Sequence, residues 1–190
     1  MILLGFAAIG FIIGLLSGGS PRGVFRYTLK GIWLPIAAYA LKAGAALLLT
    51  PQTGAVWVAL IQYGLLFLFL FANRRRPVWP LFAFAGTLCN FLVIVFNGGC
   101  MPVSASLLSA AGERLTQLTE GHIYAYRLMD AATRLPFLGD IIRFGFANRP
   151  LGFASVGDLV LGIGVALLCW QMTRTAVQTE ESKPEVPSKA

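Results

Sequence analysis

The sequence predicts an all-α integral membrane bundle of about five transmembrane helices, on three observations. Hydrophobic residues make up 57% of the 190-residue chain and charged residues only 12%, against about 25% charged in an ordinary soluble domain. The mean hydropathy is +0.74. The apolar residues gather into runs of membrane-helix character, separated by short connectors that are either uncharged or basic.

The first run, residues 2–16, has no charge before Arg22 and no Ala-x-Ala-like site after it. It is therefore expected to be a retained span rather than a signal peptide. Gly10, Gly14 and Gly18 recur every four residues, which suits close approach of a neighbouring helix; the abundance of glycine in membrane helices explains the spacing equally well. A Gly-rich connector with Arg22, Arg26 and Lys30 leads to the second span, 31–49, which carries Trp33 and Pro35 near its start and Lys42 inside it. The uncharged turn Thr50-Pro51-Gln52-Thr53 precedes the third span, 54–72, and Arg74-Arg75-Arg76 follows it. The fourth span, 79–96, contains Asn90, one heptad before Asn97.

An insert, 97–154, then separates the fourth span from the last, 155–172, so that residues 1–174 form the transmembrane domain. The tail, 175–190, is polar and aperiodic and is expected to be a disordered cytoplasmic end. Basic residues crowd the first and third connectors and Arg174 follows the last span, whereas the second connector is uncharged. The positive-inside rule thus places the N-terminus outside, the C-terminus in the cytoplasm and the insert on the extracytoplasmic side. The net charge of +7 belongs to these loops. No basic stripe with interleaved aromatics points to nucleic acid, so membrane lipid is the expected partner.

The insert holds most of the candidate chemistry. Leu107, Leu108, Ala111, Leu115 and Leu118 share a helical face, predicting an amphipathic surface helix, and a second helix is expected from Ile123 to Leu135, ending before Pro136. Asn97-Gly98-Gly99 followed by Met101-Pro102-Val103 reads either as a tight turn at a helix end or as a ligand-binding segment. Ser155-x-x-Asp158 fits a capping box, and Asp140 after Gly139 has the makings of a cap. The alternative is that Asp140 and Asp158 share a dry site, one protonated while the other activates water, with Asn97 orienting a substrate carbonyl and Arg143 binding a backbone or phosphate. Lys42, in a span, needs a partner or access to the interface, and Asp158 is the expected ion-pair partner.

The order Gly86-x-x-x-Asn90, Asn97-Gly98-Gly99-x-Met101-Pro102-Val103, His122, Thr133-x-Leu135-x-x-Leu138-Gly139-Asp140 and Ser155-x-Gly157-Asp158 resembles an uncharacterised family of small bacterial multi-spanning membrane proteins, a domain of unknown function. The resemblance implies a bacterial cytoplasmic-membrane protein and brings no activity. The candidate binding residues, argued from their chemistry, are Asn97, Gly98, Gly99, Met101, Pro102, His122 and Arg143. A second likeness is to the lipoprotein signal peptidases: Phe96-Asn97-Gly98-Gly99, Leu138-Gly139-Asp140-Ile141-Ile142-Arg143 and Phe153-Ala154-Ser155-Val156-Gly157-Asp158 echo the order of their motifs. That likeness implies an aspartyl-type hydrolase acting on a peptide or lipid-linked substrate. The chain departs from the pattern where Asp140 aligns with the asparagine and Ile142 takes the catalytic position.

Counting narrows the chemistry. His122 is the only histidine and the three cysteines form no Cys-x-x-Cys pair, so no metal site and no cofactor is expected. Cys89 and Cys169 lie in spans as packing residues, and Cys100 is left as a free thiol or an intermolecular partner. Neither a phosphate-cradling Gly-rich loop with lysine nor a Gly-x-Ser-x-Gly elbow occurs. Two classes of function remain: an enzyme at the outer membrane face, or a non-catalytic binding, transport or assembly component.

Overall fold

The computed structural model describes residues 2–50, 52–110, 123–146 and 149–181. The long helices fall where the apolar runs place them: α1 Ile2–Leu16, α3 Trp33–Leu48, α4 Ala55–Ala72, α5 Trp79–Phe96 and α6 Val156–Glu181, with a one-turn helix, α2 Gly23–Arg26, after the first. Three are long and apolar enough to cross a membrane: Ala55–Ala72, Trp79–Phe96 and Val156–Arg174. Helices α1 and α3 are apolar but have 15 and 16 residues, or about 22–24 Å at ~1.5 Å per residue, against a hydrocarbon core of ~30 Å. The bundle's outer surface is itself apolar, with Leu4, Ile36, Trp57, Phe71 and Leu81 all exposed, as a lipid solvent allows.

Local chemistry sets the helix ends. Pro35 sits in the first turn of α3, where its missing N–H is no loss, and Pro80 does the same in α5. Helix α5 ends in a Schellman motif. The Gly98 N–H bonds the Val95 carbonyl at 3.3 Å and the Gly99 N–H bonds the Ile94 carbonyl at 2.9 Å, with Gly98 and Gly99 at φ 71° and 85°. Helix α6 runs on to Glu181, into the segment expected to be disordered, because Pro184 is the first breaker after the span.

Small residues bring the helices together. Phe6 meets Gly162, Gly10 meets Ala166 and Gly14 meets Thr173, so α1 and α6 run parallel; Asn90 meets Gly157, Gly86 meets Leu161 and Ala83 meets Gly164, so α5 and α6 run antiparallel. Gly10 and Gly14 thus serve the close approach their spacing suggests, whereas Gly18 is a turn residue with open space around it. The packing order is α3, α4, α5, α6, α1. A Cβ on Gly86 would overlap the backbone of Leu161 and Gly157. Gly86→Leu should therefore destabilise the protein by about 1–3 kcal/mol or more, read as a lowered melting temperature in detergent, while Gly64→Ala, facing open space, should be neutral.

The described part of the insert is not the set of short helices expected. Strands β1 Met101–Val103 and β2 Tyr126–Leu128 pair in parallel, and β3 Ile142–Phe146 and β4 Arg149–Ala154 form an antiparallel pair leading into α6. Asp140 bridges to Val103 on the other edge of β1. The helix expected over 123–135 is broken by left-handed Ala125, at φ 58°, and Leu135, at φ 51°. Between them the Asp130 carboxylate accepts the Ala132 N–H at 3.0 Å and the Thr133 hydroxyl at 3.0 Å. That turn competes with helix, and Pro136 disfavours the helical conformation for Leu135. Short 3-10 turns lie at Ala105–Ala110 and Pro136–Leu138; the rest of the expected amphipathic helix lies outside the described residues.

The two ends of the bundle differ in charge. Arg22, Arg26, Lys30, Arg74, Arg75, Arg76 and Arg174 belong to the end opposite the insert. Asn73 organises it: its amide donates to the Lys30 carbonyl at 2.8 Å and the Phe69 carbonyl at 2.9 Å, and its oxygen accepts the Lys30 N–H at 3.1 Å.

Candidate functional site

At the insert end, Asn90 ties α5 to the start of α6. Its amide donates to Asp158 Oδ1 at 2.7 Å and its oxygen accepts the Ser155 hydroxyl at 2.8 Å. Asp158 Oδ2 accepts the Ser155 N–H at 3.1 Å, and Ser155 Oγ accepts the Asp158 N–H at 2.9 Å, a reciprocal capping box. Gly157 completes the motif, since a Cβ there would run into the Asn90 side chain. Each residue of Ser155-x-Gly157-Asp158 therefore has a structural task, and both Asp158 oxygens are engaged.

Asn97 is likewise saturated and buried. Its amide donates to the Val93 and Arg134 carbonyls, each at 2.7 Å, and its oxygen accepts the Arg134 N–H at 2.9 Å and Arg127 Nη2 at 3.2 Å. Gly99 lets the turn press on the first turn of α4, where a Cβ would strike the Ala55 and Val56 backbone. Met101 and Pro102 are buried in β1. The Asn97-Gly98-Gly99-x-Met101-Pro102 segment thus acts as a helix stop and a strand start.

Asp140 differs. Its backbone is held on both sides, the N–H bonding the Pro102 carbonyl at 2.9 Å and the carbonyl accepting the Ser104 N–H at 3.0 Å. Its side chain is 5% exposed, yet among the described residues its buried Oδ1 has no hydrogen-bond partner. Such orphaned acceptors are rare in folded proteins. Burial first, and then the charge of Asp158, push the Asp140 carboxyl up to about 7, with the Lys42 charge opposing.

Three further side chains share this electrostatic neighbourhood. Lys42 on α3 feels both Asp140 and Asp158. No ion pair joins it to Asp158, however: the ammonium lies 5.4 Å from the centroid of the Tyr126 ring, a cation–π contact. The expected direct pair is thus replaced by a longer-range attraction, because Asp158 is committed to Asn90 and Ser155. Tyr63 on α4 is buried and feels Asp158, Tyr126 and Asp140. Burial and the two carboxylates push the Tyr126 phenol up. A cavity of about 10 Å³, lined by Lys42, Gln62, Tyr63, Gly99 and Tyr124 among others, borders the cluster, about the space of one water.

Sequence reasoning missed Tyr63 and Arg127. The polar pair Gln62-Tyr63 inside an otherwise apolar span was the available signal for Tyr63. Arg127 bonds Asn97 and pairs with Asp130 at 3.7 Å, and nothing in its spacing marked it. Arg143 is exposed on β3, in register with Phe153, and His122 lies outside the described residues. Cys100 is buried and free. Among the described residues no group of three or more His, Cys, Asp or Glu gathers to hold a metal ion.

A family model described as a family of unknown function, DUF5317, matches residues 26–170, taking in α3 to α5, the insert and most of α6 while leaving α1 outside. No curated protein and no solved structure matches the chain.

Proposed function

We propose that this chain, which belongs to the DUF5317 family of unknown function, is a five-span bacterial cytoplasmic-membrane protein whose working part is a proton-holding binding site at the extracytoplasmic end. Asp140 holds the proton, and Lys42, Tyr63 and Tyr126 form the polar surroundings. The occupant is a hydrogen-bond-donating group of a peptide or lipid-linked ligand, received by Asp140 Oδ1. One observation carries this reading: a buried carboxyl, fixed by its backbone, keeps an oxygen unpartnered among the described residues, whereas every polar atom of the buried Asn97 side chain is satisfied. A purely structural aspartate has no reason to be held that way.

The orientation rests on the basic end of the bundle, which faces the cytoplasm under the positive-inside rule. Helices α1 and α3 span by local thinning of the bilayer or with flanking interfacial residues. A cysteine at Gln52 should react with an impermeant thiol reagent from outside, and one at Arg75 only after permeabilisation; the reverse would turn the site to the cytoplasm.

The site itself is tested with dicyclohexylcarbodiimide, a membrane-soluble reagent that attacks protonated carboxyls. Mass spectrometry should map the adduct to Asp140, with a rate that falls as pH rises through about 7, and Asp140→Asn should abolish it. Labelling at Asp158 instead, or none at pH 6, would remove the proposal.

A second reading, an aspartyl-type hydrolase of peptide or lipid-linked substrates using Asp140 and Asp158, is favoured by the mutual influence of the two carboxyls. It requires Asp158 to exchange its bonds to Asn90 and Ser155 during turnover. Asp158→Asn would then end hydrolysis while keeping much of the cap.

A further inference from the structure

We propose that the groove between α4 and α5 at the basic end of the bundle binds an anionic glycerophospholipid, one acyl chain lying in the groove and the phosphate held by Arg74 and Arg76. The groove has a volume of about 440 Å³ and walls that include Phe67, Leu70, Phe71, Leu81 and Phe84, with Arg74 and Arg76 among its lining residues. That volume lies within the usual small-ligand range of about 300–1,000 Å³. It opens on helices that are long and apolar enough to cross a membrane, so hydrocarbon is the solvent it meets. Its exposed walls, Phe71 at 61% and Leu81 at 70%, suit an alkyl chain.

The charge at its mouth is pre-positioned and unneutralised. Arg74 Nη1 donates to the Phe71 carbonyl at 2.9 Å while its guanidinium stacks 3.9 Å from the Phe71 ring centroid. Arg76 Nη2 donates to the Thr28 carbonyl at 2.7 Å, with its guanidinium 4.8 Å from the Tyr27 ring centroid. Among the described residues neither pairs with a carboxylate, so remaining N–H donors face the level at which phosphates lie. The connector closing the groove is strained: Val78, a β-branched residue that lines it, has φ 59°, a conformation such residues rarely adopt. Charge complementarity selects an anionic headgroup over a zwitterionic one, and the apolar walls select a lipid over a free phosphate. This site is separate from the Asp140 cluster and rests only on α4 and α5 spanning.

The test uses the full chain in detergent, with native mass spectrometry against phosphatidylglycerol and phosphatidylcholine of identical acyl chains. The wild type should retain phosphatidylglycerol at least about fivefold better, and Arg74→Gln or Arg76→Gln should each cut that preference about fivefold, the factor expected of one basic group at an anionic surface. Arg75→Gln, whose side chain does not line the groove, should leave the preference in place. Leu81→Trp, filling the groove from an exposed position, should lower retention of both lipids without lowering the melting temperature. Equal retention of the two lipids, an Arg75 variant as damaging as the Arg74 variant, or a wild-type dimer that Leu81→Trp makes monomeric would each overturn the proposal, the last by assigning the groove to a second copy of the chain.

Discussion

Asn97→Ala should cost about 3–5 kcal/mol of stability, seen as a large fall in melting temperature in detergent with loss of order in the insert. The alanine cannot replace the bonds to Val93, Arg134 and Arg127. Truncation removes three neutral bonds, at about 0.5–1.5 kcal/mol each, and one to a charged guanidinium, at about 1.5–3 kcal/mol. It also frees Arg127, whose buried Nε already has no partner among the described residues. An unchanged melting temperature would mean that water replaces the amide and that Asn97 is held for another purpose.

Asp140→Asn should act in the opposite direction on stability. In the folded chain the carboxyl is pushed up to about 7 from an ordinary value of 3.8. Between pH ~4 and ~7 the folded state therefore keeps a proton that the unfolded state has lost. The native contribution is present in full at low pH, declines through that window and levels off above it. The loss approaches about 4 kcal/mol at ~1.4 kcal/mol per unit. Asparagine at this position carries no charge to bury, so the variant should lose this pH dependence and match or exceed the native melting temperature at pH 8. It should also lose ligand binding and carbodiimide labelling. A residue whose removal stabilises the fold and ends its function is one retained for function. If the variant is much less stable at every pH, Asp140 is a structural residue.

The helices were legible because the lipid requirement acts on composition and length, which single residues such as Pro35, Pro80, Gly98 and Gly99 then sharpen into boundaries. The capping box at Ser155 and Asp158 was legible for the same reason: the reciprocal bonds form within four consecutive residues. The strands of the insert were not. Each is short, and β1 meets β2 only after a long intervening segment, so no local periodicity records the pairing. Position 140 shows the same limit. Gly139-Asp140 looked like a cap in isolation, but the fold aligns it with Val103 on β1. Lys42 stood out as a charge within an apolar run, but its partner was not legible. Its neighbour is an aromatic ring from the insert, because Asn90 had already claimed Asp158.

Asp140 should carry a proton near neutral pH, and isotope-edited infrared spectroscopy of the full chain in lipid measures that directly. With aspartate carboxyl carbons labelled, a protonated-carboxyl band should be present at pH 6, disappear as pH rises through about 7, and be missing at pH 6 in Asp140→Asn while persisting there in Asp158→Asn. No such band at pH 6, or one at pH 6 that survives unchanged in the Asp140 variant, would contradict it.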